Sequence, residues 1–474
     1  MSYEIVIGLE THTELHTRSK VFCRCDAGFG GEPNSHVCPV CLGLPGTLPV
    51  LNRRSLELAL LTALALECEI PARFQFDRKN YYYPDLPKNY QISQEYQPLG
   101  RNGRLLLVMP DGREKSVRIH NVHLEEDAGK LLHEGGGALV DLNRAGTSLL
   151  EIVSYPDIAS LAELDVYMAT MRQLLRYVGA SDCKMQEGSL RFEVNISLRP
   201  AGATQLGTKV ELKNIGSMKA AMRAAGYEIE RQREALEAGR EIVQETRLWD
   251  EERGVTAPMR SKEGAKDYRY FPEPDLVPVE VDAAWLEALR RSLPEPATAR
   301  RRRFVAQYGL PDYDAGVLTA DRQVADWFEA AVAGRTDQAK TISNWVMTHI
   351  LKELPGEDDR IEDLKVKPEH LAQLAELVSS GAISGNQAKE VLLLVIESGQ
   401  PPAEIVEARG MKQLSDASLL EKFVEDVIAA NPKQVEQYRA GKEAVLGYLV
   451  GQVMKASKGQ ANPKLVNELL RSRL

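Results

Sequence analysis

The segment Ile7–Thr17, IGLETHTELHT, sets Glu10, His12, Glu14 and His16 at every second position. Successive side chains of a strand point to opposite faces. One face of such a strand would therefore carry carboxylate, imidazole, carboxylate, imidazole. Those groups together suit a divalent cation or a proton-transfer site. For any one of them alone, a polar, half-exposed strand face is the plainer reading. The chemistry therefore needs partners from elsewhere in the chain.

Acids in strand-like context supply them. HLEEDAGK holds Glu125, Glu126 and Asp127, and DLNRAGTSLLEIVSYPD holds Asp141 and Glu151. Glu151 stands between Leu149-Leu150 and Ile152-Val153. A carboxylate in such a run is paired or metal-bound, because burying it alone is costly. The alternative to a metal is an ion pair with a residue such as Arg144. Taken together, Glu10, His12, Glu125 and Glu151 would hold one or two Mg2+, an ion that takes oxygen ligands and joins carboxylates to phosphates. Lys79 in DRKNYY and Arg144 would neutralise phosphate charge. No phosphate-binding GxxxxGK[ST] loop and no protein-kinase signature set occurs in the sequence. Any nucleotide site is then of another kind.

Four of the six cysteines crowd into FCRCDAGFGGEPNSHVCPVCLG. The C-x-C and C-x-x-C pairs, twelve residues apart, fit tetrahedral zinc held by Cys23, Cys25, Cys38 and Cys41, with His36 as an alternative ligand. Four thiolates leave no position for water or substrate, so this zinc would be structural, in a small knuckle that could touch RNA. Cys68 and Cys183 read as core or free thiols.

The elements that must position these groups come from pattern. Residues 52–68, 161–178 and 217–240 read as amphipathic helices. Residues 104–155 and 186–214 read as strands, with MPDGRE as a hairpin turn. Residues 76–94, rich in Tyr, Asn and Pro, read as a polar loop. Strands and helices alternate without regular βαβ repetition, which is the α+β pattern. Breaks at 290–304 and 398–410 divide the chain into 1–293, 294–405 and 406–474, and beyond the first break the pattern is nearly all helical. A length of 474 residues suits about three domains.

Composition excludes some classes. Hydrophobic residues make up 43% and charged residues 27%, as in ordinary globular proteins. No apolar run is long enough to span a membrane and the N-terminus lacks a signal-peptide pattern, so a cytoplasmic location is expected. The net charge of −9 argues against a protein that coats nucleic acid indiscriminately. Lys433–Leu474 nevertheless holds eight Lys or Arg against three Glu.

Long segments of the chain resemble the B subunits of the tRNA-dependent (glutamyl/aspartyl-tRNA) amidotransferases, essentially end to end. They are IGLETHTEL, CPVCLGLPGTLPVLN, DRKNYYYPDLPKNYQISQ, LEEDAGK, DLNRAGTSLLEIVSYPD, EGSLR, ETRLWDE, MRSKE, DYRYFPEPDL and YLVGQVMKAS. The resemblance implies a strand-rich, cradle-shaped catalytic domain with a small four-cysteine zinc element, an all-helical domain, and a small helical tail domain of the YqeY type. It implies ATP- and Mg2+-dependent phosphorylation of the side-chain carboxylate of Glu-tRNA(Gln) or Asp-tRNA(Asn). Ammonia from a partner amidase (glutaminase), the A subunit, would then displace phosphate, with a small C subunit completing a heterotrimer. Glu10, His12, Lys79, Glu125 and Glu151 match the family's metal and phosphate residues. Lys433, Arg439, Lys442, Lys455 and Lys458 become candidates for contact with the tRNA body. Two departures are visible: Phe192–Ser197 reads FEVNIS where the family usually has CDANVS, and Lys266 replaces the usual histidine. Two rival readings are a non-catalytic, zinc-containing tRNA adaptor and an autonomous phosphotransferase acting without partners.

Overall fold

The structure, a computed structural model, describes residues 2–259, 268–356, 359–411, 417–457 and 461–474. Lys266, Lys458 and most of MRSKE lie outside the described residues. The chain forms two compact units, Met1–Ala297 and Thr298–Leu474.

The first unit is built on an eight-stranded sheet. Its strands are β1 (Tyr3–Glu14), β2 (Gly100–Val108), β3 (Glu114–Glu126), β4 (Ser148–Ser154), β5 (Leu190–Pro200), β6 (Val210–Lys213), β7 (Thr246–Asp250) and β8 (Val255–Pro258). The spatial order is β8-β7-β6-β5-β1-β4-β3-β2. Every pair is antiparallel except β6–β7. The turn expected at MPDGRE joins β2 to β3, with Gly112 at φ +84°, a conformation glycine adopts without steric cost.

One face of the sheet packs on helices α1 (Arg53–Ala65), α2 (Leu161–Val178) and α3 (Met218–Glu237). Each starts where a short polar side chain accepts a hydrogen bond from a first-turn amide: Asn52, Ser160 and Ser217. Leu9, Leu150, Ile152, Leu190, Phe192, Val194, Val122 and Leu124 are buried in this core. The odd-numbered residues of β1 thus face the helices, and Glu10, His12 and Glu14 face away. The strand ends at Glu14, and His16, expected on the same face, is exposed beyond it.

A bulge in β3 decides which of its side chains join that second face. The register against β4 shifts between Ile119 and Asn121. Before the bulge Val117 and Ile119 enter the core; after it Val122 and Leu124 do. The extra residue reverses the parity, so His123 and Glu125 point the same way as Glu151.

Residues 76–94, expected as a loop, include two strands, Asp77–Asn80 and Tyr90–Ser93, which form a small sheet with Phe271–Pro272. The anchor is Asp77, fully buried, whose carboxylate accepts from the Glu95 and Tyr96 amides at 2.8 and 3.0 Å. The Tyr- and Pro-rich composition belongs to the connection between the strands.

The second unit is helical among its described residues. It holds two separate apolar clusters, one from Phe304 to Val406 and one from Leu420 to Leu470. Within the arginine run at 300–303, Arg300 is buried, pairing with Asp326 at 2.6 Å and with Glu329.

Candidate active site

Sheet register assembles the site. His12 on β1 lies opposite Glu151 on β4, and Glu151 lies opposite His123 on β3. His12 Nε2 stands 3.4 Å and His123 Nε2 3.1 Å from Glu151 Oε2. His123 Nε2 is also 3.8 Å from Glu125 Oε2, and Ser93 Oγ donates to the same oxygen at 3.0 Å. Ligand atoms of His12, Glu125 and Glu151 all lie within 4.8 Å of one another. The ion pair between Glu151 and Arg144, the non-metal alternative, does not form. Arg144 turns to Asp127, and Glu151 is met by two imidazoles.

One register step along, Glu10 lies opposite Glu193 of β5. Glu10, Glu193 and Glu211 of β6 bring carboxylate oxygens within 4.8 Å of one another. Lys213 Nζ sits 2.7 Å from Glu193 and 3.5 Å from Glu211, and Asn195 Nδ2 donates to Glu10 at 3.1 Å. The four residues expected to hold one or two ions divide: His12, Glu125 and Glu151 group together, while Glu10 joins two other acids. Antiparallel pairing causes this, because each residue of β1 meets a different neighbour on either side.

The electrostatics show concentrated negative charge. Burial, then the charges of Glu151, Glu193 and Glu211, push the Glu10 carboxyl up. Burial alone would lower the two imidazoles, but Glu151 outweighs it, raising His12 and lifting His123 to about 10. Burial would also raise Glu151, yet His123 and His12 hold it well below the usual carboxylate range. Lys79, on Asp77–Asn80, is half-buried. Its burial would lower it, but Glu125 and Glu151 keep its ammonium charged. That ammonium lies 5.1 Å from the Tyr268 ring centroid and 6.0 Å from that of Tyr81.

A third group closes the row. Glu14 shares a hydrogen bond with Asp127, and burial followed by the Asp127 charge pushes Glu14 up to about 8. Asp127 goes the other way: burial opposes, but Arg191, 2.9 Å away, and Arg144, at 3.5 Å, hold it low.

The donor sets fit divalent cations. One imidazole with two carboxylates, and three carboxylates beside one ammonium, are oxygen-rich clusters of excess negative charge. His12 Nδ1 is buried without a hydrogen-bond partner among the described residues.

Comparison with known proteins gives a family. Residues 5–287 match the GatB/GatE catalytic domain and residues 326–474 match the GatB domain. The chain is 56% identical to the B subunit of the aspartyl/glutamyl-tRNA(Asn/Gln) amidotransferase of Moorella thermoacetica, over 100% of both chains. It is 53% identical to the B subunit of the same enzyme from Carboxydothermus hydrogenoformans, over 100% of this chain and 99% of that one. The chain belongs to the GatB family, the B subunits of the tRNA-dependent amidotransferases.

The other expected GatB-family sites can be placed against the structure. Cys23, Cys25, Cys38 and Cys41 bring their sulfurs within 4.8 Å of one another. Cys25–Cys41 and Cys38–Cys41 are 4.0 and 3.9 Å apart. A tetrahedron of Zn–S bonds about 2.3 Å long has edges of about 3.8 Å, so the four thiols fit zinc. They do not ionise alike: a hydrogen bond to Cys41, then burial, pushes Cys23 up, while the same bond draws Cys41 down to about 4. His36 is not among the converging donors. Cys68 and Cys183 are buried in the apolar core. Lys433, Arg439, Lys442 and Lys455 are exposed.

Reading the sequence alone misses His123, Glu193, Glu211 and Lys213 as site residues. The signal for the last two was the alternation in TKVELKN, which puts Glu211 and Lys213 on one strand face. His123 carried no such signal, because the bulge at its strand is invisible in the pattern. No helix among the described residues is long and apolar enough to cross a membrane.

Proposed function

We propose that this chain activates the side-chain carboxylate of Glu on tRNA(Gln), of Asp on tRNA(Asn), or of both, by ATP- and Mg2+-dependent phosphorylation. Amidation with ammonia from a partner glutaminase, the A subunit, follows, in a heterotrimer completed by a small C subunit. The observation that carries the reading is the convergence of His12, Glu125 and Glu151 beside Glu10, Glu193 and Glu211, with Lys79 facing the acids.

His12, Glu125 and Glu151 would hold one Mg2+ and Glu10, Glu193 and Glu211 another. Such an ion neutralises charge on a transferring phosphoryl group and aligns it. The residues of the chain supply the rest. His123, oriented by the 2.9 Å contact of its Nδ1 with Asn121, holds Glu151 in place. Lys79 presents a fixed positive charge to phosphate oxygens, and Tyr81 and Tyr268 shield it from water. Activation is required because a carboxylate would have to expel oxide, whereas an acyl phosphate expels phosphate. Ammonia nitrogen attacks the acyl carbon, the C–O bond to phosphate breaks, and nitrogen gives up a proton. Zn2+ in the cysteine knuckle is structural. The exposed Lys433, Arg439, Lys442 and Lys455 would meet tRNA phosphates, where Lys and Arg release counterions.

Purified chain is mixed with ATP, Mg2+ and Glu-tRNA(Gln), with and without the partner amidase. ADP release without the amidase, lost in Glu151→Gln, is expected. Amide formation that survives Glu10→Gln and Glu151→Gln unchanged would instead make the chain a zinc-containing tRNA adaptor.

A further inference from the structure

We propose that Lys20 is the built-in counter-charge of the four-cysteine centre, and that through it the metal-bound knuckle braces the Asp141–Arg144 loop at the edge of the acid site. This rests on the reading of Cys23, Cys25, Cys38 and Cys41 as a zinc site.

Lys20 is among the largest fully buried side chains of the protein, with an exposure of 0%. An ammonium taken out of water needs three acceptors and a compensating charge. Its acceptors are His36 O at 2.7 Å, Leu142 O at 3.4 Å and Cys41 Sγ at 3.8 Å. Two are neutral carbonyls, which solvate a charge without cancelling it. No carboxylate pairs with Lys20 among the described residues. The sulfur is the remaining partner able to carry negative charge. Zinc with four thiolates bears a net charge of −2, so a buried cation against one sulfur removes half of it. The N–H···S bond also withdraws charge from that thiolate and makes it a poorer target for protons and oxidants.

The main chain of Lys20 belongs to the same unit. Lys20 N donates to Cys25 O at 3.1 Å and Val21 N to Gly146 O at 3.0 Å. Lys20 thus touches both cysteine pairs and the 142–146 segment at once. A second set of bonds follows the same line. His36 N donates to Asn143 Oδ1 at 2.8 Å, Asn143 Nδ2 to Glu32 O at 2.8 Å, and Asn34 N to Asp141 Oδ1 at 3.0 Å. Leu142 N returns a bond to Asn34 Oδ1 at 2.8 Å. The next residue after Asn143 is Arg144, whose guanidinium donates to Ala128 O at 2.9 Å and Gly129 O at 3.0 Å and faces Asp127. A knuckle held shut by metal therefore fixes the loop that aims Arg144 at the Glu14–Asp127 pair. Lys20 is a positioning residue for the centre and touches no substrate.

The test uses the full chain loaded with Co2+. The wild type is expected to show the sulfur-to-cobalt charge-transfer band of a tetrahedral tetrathiolate. Lys20→Met should move that band to lower energy and speed metal transfer to a chromophoric chelator roughly 10–100-fold, while Lys20→Arg restores part of both. A Lys20→Met protein with the wild-type band and release rate overturns the proposal. A wild type without a tetrathiolate band overturns the zinc reading itself, a distinct result. Should Lys20→Met fail to fold, hydrogen exchange of the wild type with and without metal decides. Amides of 141–145 are expected to exchange faster once metal is removed, with those of β2 unchanged. Equal exchange at 141–145 in both states overturns the brace.

Discussion

Replacing Glu14 by glutamine should stabilise the first unit at neutral pH, and by less in acid. Glu14 is pushed from 4.5 up to about 8, first by burial and then by Asp127. A carboxyl whose folded value lies above its unfolded one favours the folded state fully below the unfolded value. That advantage is lost between about 4.5 and 8, where the native chain must keep a proton that the unfolded chain has released. At pH 7 the gap from 4.5 is about 2.5 units, so at about 1.4 kcal/mol per unit the ceiling is about 3.5 kcal/mol. Proton sharing with Asp127 and partial contact with solvent reduce this to about 1.5–2 kcal/mol. At pH 5 the same arithmetic leaves less than about 0.5 kcal/mol. The glutamine has the same shape, cannot ionise, and can still hydrogen-bond Asp127. Thermal unfolding of both proteins at pH 5 and pH 7 is the assay. The variant should melt about 2–4 °C higher at pH 7 and nearly level with the wild type at pH 5. A variant that is no more stable at pH 7, or that gains equally at both values, would refute the shared-proton account.

Four further outcomes are expected. Glu151→Gln should lower ADP formation by at least about 100-fold, read with Glu-tRNA(Gln) at saturating ATP. In the same variant without metal, proton NMR should show His123 titrating well below its value of about 10 in the parent, since Glu151, with Glu125 beside it, overcomes the burial. Lys213→Met removes the cation beside Glu193 and Glu211, so Mn2+ measured by paramagnetic resonance should bind several-fold tighter; unchanged binding would place the ion elsewhere. Reversing Lys433 and Lys442 together to Glu should weaken tRNA binding and reduce the slope of log K against log salt by about 2. An unchanged slope would remove those two residues from the RNA contact.

What could be read along the chain was whatever depends on neighbours in sequence. The alternation of Glu10, His12 and Glu14 shows a polar strand face, and C-x-C with C-x-x-C shows two cysteine pairs spaced to converge. Glu151 amid Leu149, Leu150, Ile152 and Val153 announces a buried acid that needs a partner. The helices at 53–65, 161–178 and 218–237 follow from periodicity and capping residues.

The identity of the partners was settled only by tertiary structure, because sheet register is a long-range property. Glu10 meets Glu193 and Glu211, not the His12 group, since the two edges of β1 pair with different strands. His123 enters the site because one extra residue in β3 reverses the side on which its later residues point. Arg144 serves Asp127 and leaves Glu151 to two imidazoles. Local pattern determines which faces are polar; the pairing of strands far apart in the chain determines which charges share a face, and so where a cation can sit.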